Sequence, residues 1–188
     1  MNIVNVGYDS TNYYVLELNQ GKLLVDSGWP GTLPKLAAAM RRKGLAPREL
    51  SHLLVTHFHP DHAGLTQELK IQGATLLLLE SQVGFGAQLN ELFRRKNMQF
   101  VELEEDGSRL VRFHESRQLI RTLGLEGEII STPGHSADSV TLILDDGWAF
   151  TGDLSPRFML AEDDRVSRAS WDRIYERQIK RIYPGHGG

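Results

Sequence analysis

The sequence predicts an α/β fold. Three observations lead there: short apolar runs of strand length, intervening segments with helical caps and cationic last turns, and several strand runs that end abruptly in polar residues. A hairpin comes first, with residues 13–18 (YYVLEL) and 22–26 (KLLVD) flanking the turn NQG. After SGWPG, Thr32 reads as the N-cap of a helix with an early proline, a cationic end and a terminating Gly44. Residues 52–56 (HLLVT) form a short apolar strand, followed by a helix over GLTQELK, a buried strand at 74–79 (ATLLLL) and a mostly helical segment at 81–96. Weaker strand signals lie at 98–103 and 109–113, and residues 115–124 read as a helix ending near Gly124. Strands at 127–132, 139–144 and 148–153 follow, then a helix over 170–181 with Ser170 at its cap.

The 188 residues are 40% apolar and 24% charged, with a formal net charge of −3. That is an ordinary globular composition with room for a sizeable core. Neither a linker nor a fixed-period repeat interrupts it, so one domain over residues 1–188 is expected. The charge balance gives no general attraction to nucleic acid or to an anionic membrane. No run approaches the ~20 apolar residues of a membrane span, and the N-terminus lacks the basic start and apolar core of a signal peptide. A cytoplasmic location is the expectation. With no cysteine in the chain, disulfides and thiolate ligands are excluded. Any metal must be held by nitrogen and oxygen, which suits zinc, iron or manganese.

The chemistry concentrates in VTHFHPDHAG, residues 55–64. His57 and His59, two apart on an extended segment, share one face. Pro60 then biases His59 to extended geometry and turns the chain, so that Asp61 and His62 follow in a different direction. Four ligand-type side chains on two differently directed backbone pieces suit two adjacent metals better than one. With 7 His in the chain, chance alone produces such a window about 0.1–0.2 times, so the cluster by itself decides little. The remaining strand ends supply the rest: His135 in TPGHS, Asp153 in FTGDL and His186 in YPGHGG each follow a strand-like run with a glycine alongside. His52 and His114 lack that context and read as structural or surface residues.

In order, VDSG, THFHPDH, TPGHS, FTGD and YPGHG resemble the five motifs of the metallo-β-lactamase superfamily, over a stretch from about Val25 to Gly187. The resemblance implies a four-layer αβ/βα sandwich with a dinuclear site at one edge. It implies that His57, His59 and His135 bind one metal, that Asp61, His62 and His186 bind the other, and that Asp153 bridges both. Asp26 of the first motif would support the ligands without binding metal. An aspartate at 153 and the lack of cysteine look more like the glyoxalase II and lactonase branch than like antibiotic-degrading members. Only two residues follow His186, so no glutathione-binding helical portion is expected and that substrate does not carry over.

The activity so implied is hydrolysis of an ester, thioester or lactone carbonyl in a small-molecule substrate by a metal-bridging hydroxide. Two zinc ions per chain are expected, with iron or manganese as the other options. Asp61 would orient the hydroxide or pass a proton to the leaving group. Two further chemistries stay open. A persulfide-dioxygenase-like site would hold one iron at His57, His135 and Asp153, and a phosphodiesterase or nuclease would use the dinuclear pair, although nothing resembles an RNA-binding arm. Homo-oligomerisation is left open. Specificity is expected from loops 27–34, 84–97 and 154–169, with Trp29, Phe158 and Tyr183 as residues that either line the pocket or pack.

Overall fold

Strands that are apolar on both faces dictate the layering. In the computed structural model, which describes residues 2–187, the first sheet has six strands in chain order. They are β1 (Ile3–Asn5), β2 (Tyr14–Glu17), β3 (Lys22–Val25), β4 (Leu50–Leu54), β5 (Thr75–Leu79) and β6 (Arg109–Val111). β1 to β3 form an antiparallel meander, and β3 to β6 run parallel. The second sheet contains β7 (Gly127–Ser131), β8 (Val140–Leu144), β9 (Trp148–Gly152) and β10 (Arg181–Pro184), ordered β10-β9-β8-β7. Only its β10–β9 pair is parallel.

Successive strand residues point to opposite faces. β5 therefore sends Leu77 and Leu79 toward the second sheet, where Val140, Leu142, Leu144 and Phe150 meet them. Leu76 and Leu78 point the other way, into a layer closed by α1 (Leu33–Arg42), α2 (Pro60–Ala63), α3 (Thr66–Ile71) and α4 (Phe85–Arg95). Those helices contribute Leu36, Met40, Ala63, Leu69, Leu89 and Phe93. α5 (Phe113–Thr122) sets Ile120 into the inter-sheet layer. On the far side, α6 (Arg165–Tyr175) lays Trp171 and Ile174 on Ile130, Ile143 and Ala149. Helices, sheet, sheet, helix: this is the four-layer αβ/βα sandwich. Leucine is a good helix former, yet TLLLL is a strand. Burying each leucine is worth roughly 1.5–3 kcal/mol, which outweighs propensity differences of well under 1 kcal/mol per residue.

Three local expectations are corrected. Residues 98–103 form no strand, because Asn90 takes both backbone groups of Leu103, donating to its O at 2.8 Å and accepting from its N at 2.9 Å. The last helix spans 165–175 rather than 170–181, since the Asp164 carboxylate accepts from Ser167 N at 3.0 Å and caps it earlier. Ser170 lies inside that helix and donates to Pro133 O at 2.6 Å. Thr32 precedes α1 without a side-chain cap; its hydroxyl donates to Trp29 O at 2.6 Å instead. Among the described residues, no helix is long and apolar enough to cross a membrane.

Candidate metal centre

The site forms where the two sheets present their strand ends to each other. β4 stops at Leu54, and the chain continues as an irregular segment to His59, whose φ of −91° and ψ of 157° are extended, as expected before proline. α2 then begins at Pro60 and carries Asp61 and His62 on one turn. His57 and His59 thus sit on one backbone direction and Asp61 and His62 on another. Their imidazoles are close, with centroids 4.5 Å apart for His57–His59 and 4.2 Å for His57–His62.

The second sheet supplies the other half. His135 comes from the β7–β8 loop, Asp153 directly follows β9, and His186 follows β10. Backbone approach here demands glycine. A Cβ on Gly185 would lie 2.3 Å from Asp153 Oδ1 and 2.7 Å from His62 Cε1. Gly152 has φ +54°, and a Cβ there would meet Thr56 Oγ1 at 2.4 Å.

All seven side chains converge. One nitrogen each from His57, His59 and His135 lie within 4.8 Å of one another, and so do ligand atoms of Asp61, His62 and His186. Asp153 spans the two groups. Its Oδ1 is 3.2 Å from His62 Nε2, while its Oδ2 is 3.2 Å from His186 Nε2, 3.7 Å from His135 Nε2 and 3.9 Å from His57 Nε2. His59 Nδ1 and His135 Nε2 stand 3.0 Å apart.

Surrounding groups hold these rings in place. Asp26, buried and at φ +61°, accepts from Thr56 N at 2.7 Å through Oδ1 and faces His62 Nδ1 at 2.8 Å through Oδ2. Aspartate is one of the few side chains that tolerates this left-handed backbone. His186 Nδ1 lies 2.7 Å from Ser10 O, and Thr11 Oγ1 donates to Asp61 Oδ2 at 3.0 Å. Asp138 accepts from Phe58 N at 2.7 Å, which fixes the backbone between His57 and His59. Sequence reasoning found Asp26 and missed Ser10, Thr11, Thr56 and Asp138. Thr56 stands inside the histidine-rich motif and was within reach; a backbone carbonyl and a lone threonine carry no signal at all.

The electrostatics suit a cation. Burial drives the His57 pKa well below its ordinary value, and neighbouring imidazoles reinforce the shift. Burial likewise lowers His135. For His62 burial acts downward, but the Asp26 and Asp153 carboxylates outweigh it and push the pKa up to about 10. For Asp153 burial acts upward, and His62, His186 and His135 overcome it, leaving the carboxyl below the usual range. His57 Nε2, His62 Nε2 and Asp153 Oδ1 are buried and make no well-aligned hydrogen bond, although His62 Nε2 and Asp153 Oδ1 stand 3.2 Å apart as an ion pair. Buried polar atoms without a partner are costly, and three that face one another are a donor set that fits divalent metal.

Other candidates fall elsewhere. His114 is exposed beside Glu115, and His52 pairs with Ser51 on β4. Tyr183 packs among Tyr14, Phe150 and Trp148. Of the three specificity loops, the segment after Asp153 borders the site, and Phe158 stands in it; 84–97 is largely α4.

The family profile described as the metallo-beta-lactamase superfamily matches residues 6–186. A relative in Caenorhabditis elegans, "Beta-lactamase-like protein 2 homolog", is 28% identical over 94% of this chain and 56% of its own length. "Thioesterase pkgB" of Emericella nidulans is 25% identical over 94% of this chain and 46% of its own. The chain thus spans about half the length of these curated relatives. "Probable metallo-hydrolase MJ0888" of Methanocaldococcus jannaschii is 26% identical over 96% of this chain and 89% of its own. Among solved structures, TTHA1623 in a di-iron-bound form has a TM-score of 0.72 at 25% identity, covering 100% of this chain and 93% of that one. Profile, relatives and layered fold agree, and the chain belongs to the metallo-beta-lactamase superfamily.

Proposed function

We propose that the chain is a dinuclear-metal hydrolase acting on an ester, thioester or lactone carbonyl. The observation that carries this reading is the position of Asp153 between two clusters of nitrogen and oxygen donors. His57, His59 and His135 would hold one divalent ion, Asp61, His62 and His186 the other, and Asp153 both. Two such ions supply Lewis acidity toward a carbonyl oxygen and a water of lowered pKa. The protein's own part is orientation. Asp26 accepts the Nδ1 proton of His62 and leaves Nε2 free to bind; Ser10 O does the same for His186. Thr11 holds the Asp61 carboxylate, which orients the attacking water and passes a proton to the leaving oxygen or sulfur. Residues 1–188 are taken as one domain, since both sheets contribute to the centre.

Superfamily membership supports a metal-dependent hydrolase, and the thioesterase and metallo-hydrolase names of two relatives point the same way. An aspartate rather than a cysteine at 153 supports the glyoxalase II- and lactonase-like branch. We take zinc as the metal. The di-iron-bound neighbour keeps iron open as the metal, and the second reading is a persulfide-dioxygenase-like site with a single iron at His57, His135 and Asp153. Elemental mass spectrometry on protein purified without a polyhistidine tag or added metal separates the two. Close to two zinc ions per chain with thioester or lactone hydrolysis is expected. A single iron with oxygen uptake would displace the hydrolase.

A further inference from the structure

A cleft of about 1040 Å³ borders the centre, with His135, Asp153 and His186 among its lining residues. That volume lies at the upper end of small-molecule sites. Its walls are Leu154, Phe158, Leu160, Trp171, Tyr175 and Ile182. The indole of Trp171 is already used: its Nε1 donates to Ser155 O at 2.8 Å. So are the two cations. Arg157 pairs with Asp172 at 2.6 Å and lies over the Tyr175 ring at 5.8 Å, while Arg168 donates to the carbonyls of Leu160 and Ala161, both at 3.1 Å. These arginines brace the walls, and the one carboxylate among the lining residues is Asp153, which faces the donor cluster.

The rim carries unusual apolar exposure. Phe158 is 89% exposed although it lines the cleft, neighbouring Met159 is 69% exposed and Tyr175 is 45% exposed. Single exposed apolar residues mean little, but Phe158 and Tyr175 line one concave site and still face solvent, which marks a surface that something covers.

Building on the hydrolase reading, we infer that the substrate carries an extended, uncharged apolar arm on its scissile carbonyl, seated between the 154–160 segment and α6. The arm belongs either to the acyl group or to the leaving group; the shared chemistry is a chain of several methylenes or an aromatic ring.

Two thioester series test it: N-acetylcysteamine thioesters with acyl chains of two to ten carbons, and acetyl thioesters of alkyl thiols of two to ten carbons. A buried methylene is worth roughly two- to fourfold in kcat/KM, so six of them give at least about 60-fold. One series should rise this way and tells which side of the carbonyl bears the arm. Turnover-independent binding is read by calorimetry with the S-octyl and S-ethyl thioethers of N-acetylcysteamine, which have no scissile thioester bond. The octyl ether should bind at least tenfold more tightly, and Phe158→Ala should shrink that ratio several-fold while Ile71→Ser, exposed on α3, leaves it unchanged. If neither series is hydrolysed, thioesters are removed from the hydrolase reading while the octyl-to-ethyl ratio still decides the cleft. Equal binding of the two ethers overturns the inference, as does flat kcat/KM across both series with thioesters being cleaved. Sedimentation showing a dimer that Phe158→Ala dissociates would give the rim to a second copy, and overturns it too.

Discussion

Replacing Asp26 by Asn tests whether one carboxylate decides which nitrogen of His62 faces the centre. Asparagine is nearly isosteric and tolerates φ +61° at this position, so the backbone is not what changes. The amide must place one NH2 where a carboxylate oxygen was. It cannot take the place of Oδ1, because Thr56 N donates into that position at 2.7 Å and cannot reverse. The NH2 therefore takes the place of Oδ2, 2.8 Å from His62 Nδ1, and donates to it. A neutral imidazole accepting at Nδ1 carries its proton on Nε2. That nitrogen faces Asp61 at 3.4 Å and Asp153 at 3.2 Å, and once protonated it has no lone pair for a cation. Exchanging charge-assisted hydrogen bonds for neutral ones costs about 1–2 kcal/mol of stability. Losing the partner that orients a ligating histidine costs roughly 10–100-fold in metal affinity. The expected variant is folded, keeps an ion at His57, His59 and His135, and releases the one at Asp61, His62 and His186. Elemental analysis after dialysis should fall from two ions per chain toward one, with the far-ultraviolet circular dichroism unchanged. Two ions held with the parent's affinity would refute the tautomer argument.

Metal uptake should release a proton from His62, whose metal-free pKa stands at about 10. Because the proton must leave before a cation binds, apparent affinity should rise by up to about tenfold per pH unit between 7 and 9; a flat profile by calorimetry in buffers of different ionisation enthalpy would contradict this. Gly185→Ala would press its Cβ onto Asp153 and His62. A shift of about 1 Å at such a site is worth about 100-fold in rate, and the variant should also bind less metal; full metal content with parental turnover would sink the packing argument. His52 has its pKa lowered by burial, so the folded state favours its neutral form. The stability it contributes is present above the unfolded value of about 6.5 and is lost as the pH falls through the lower folded value. Denaturant midpoints between pH 7.5 and 5 should slope less in His52→Gln, and an identical slope would remove His52 as the cause.

Much of the site was readable because its signals are local. Which residue types can hold a metal, the alternation that puts His57 and His59 on one face, and the turn that Pro60 forces all follow from neighbouring residues. Helix ends were less readable. Ser170 and Thr32 look like caps, yet Ser170 donates to Pro133 O and Thr32 to Trp29 O, partners the folded chain brings close. Asp164 caps the last helix because the chain there turns its carboxylate onto Ser167 N.

By itself, the sequence determined the alternation of elements, the absence of thiolate chemistry and the choice of eight candidate residues, Asp26 and the seven side chains that converge beside it. Only the tertiary structure decided how these are braced and what they face. Ser10 O meets His186 across 176 residues of chain, and Thr11 meets Asp61 across 50. The apolar cleft exists because the 154–160 segment lies against α6 beside the centre. Contacts across such separations depend on how the two sheets stack, and that stacking follows from the summed burial of many apolar side chains, which no short stretch of sequence encodes.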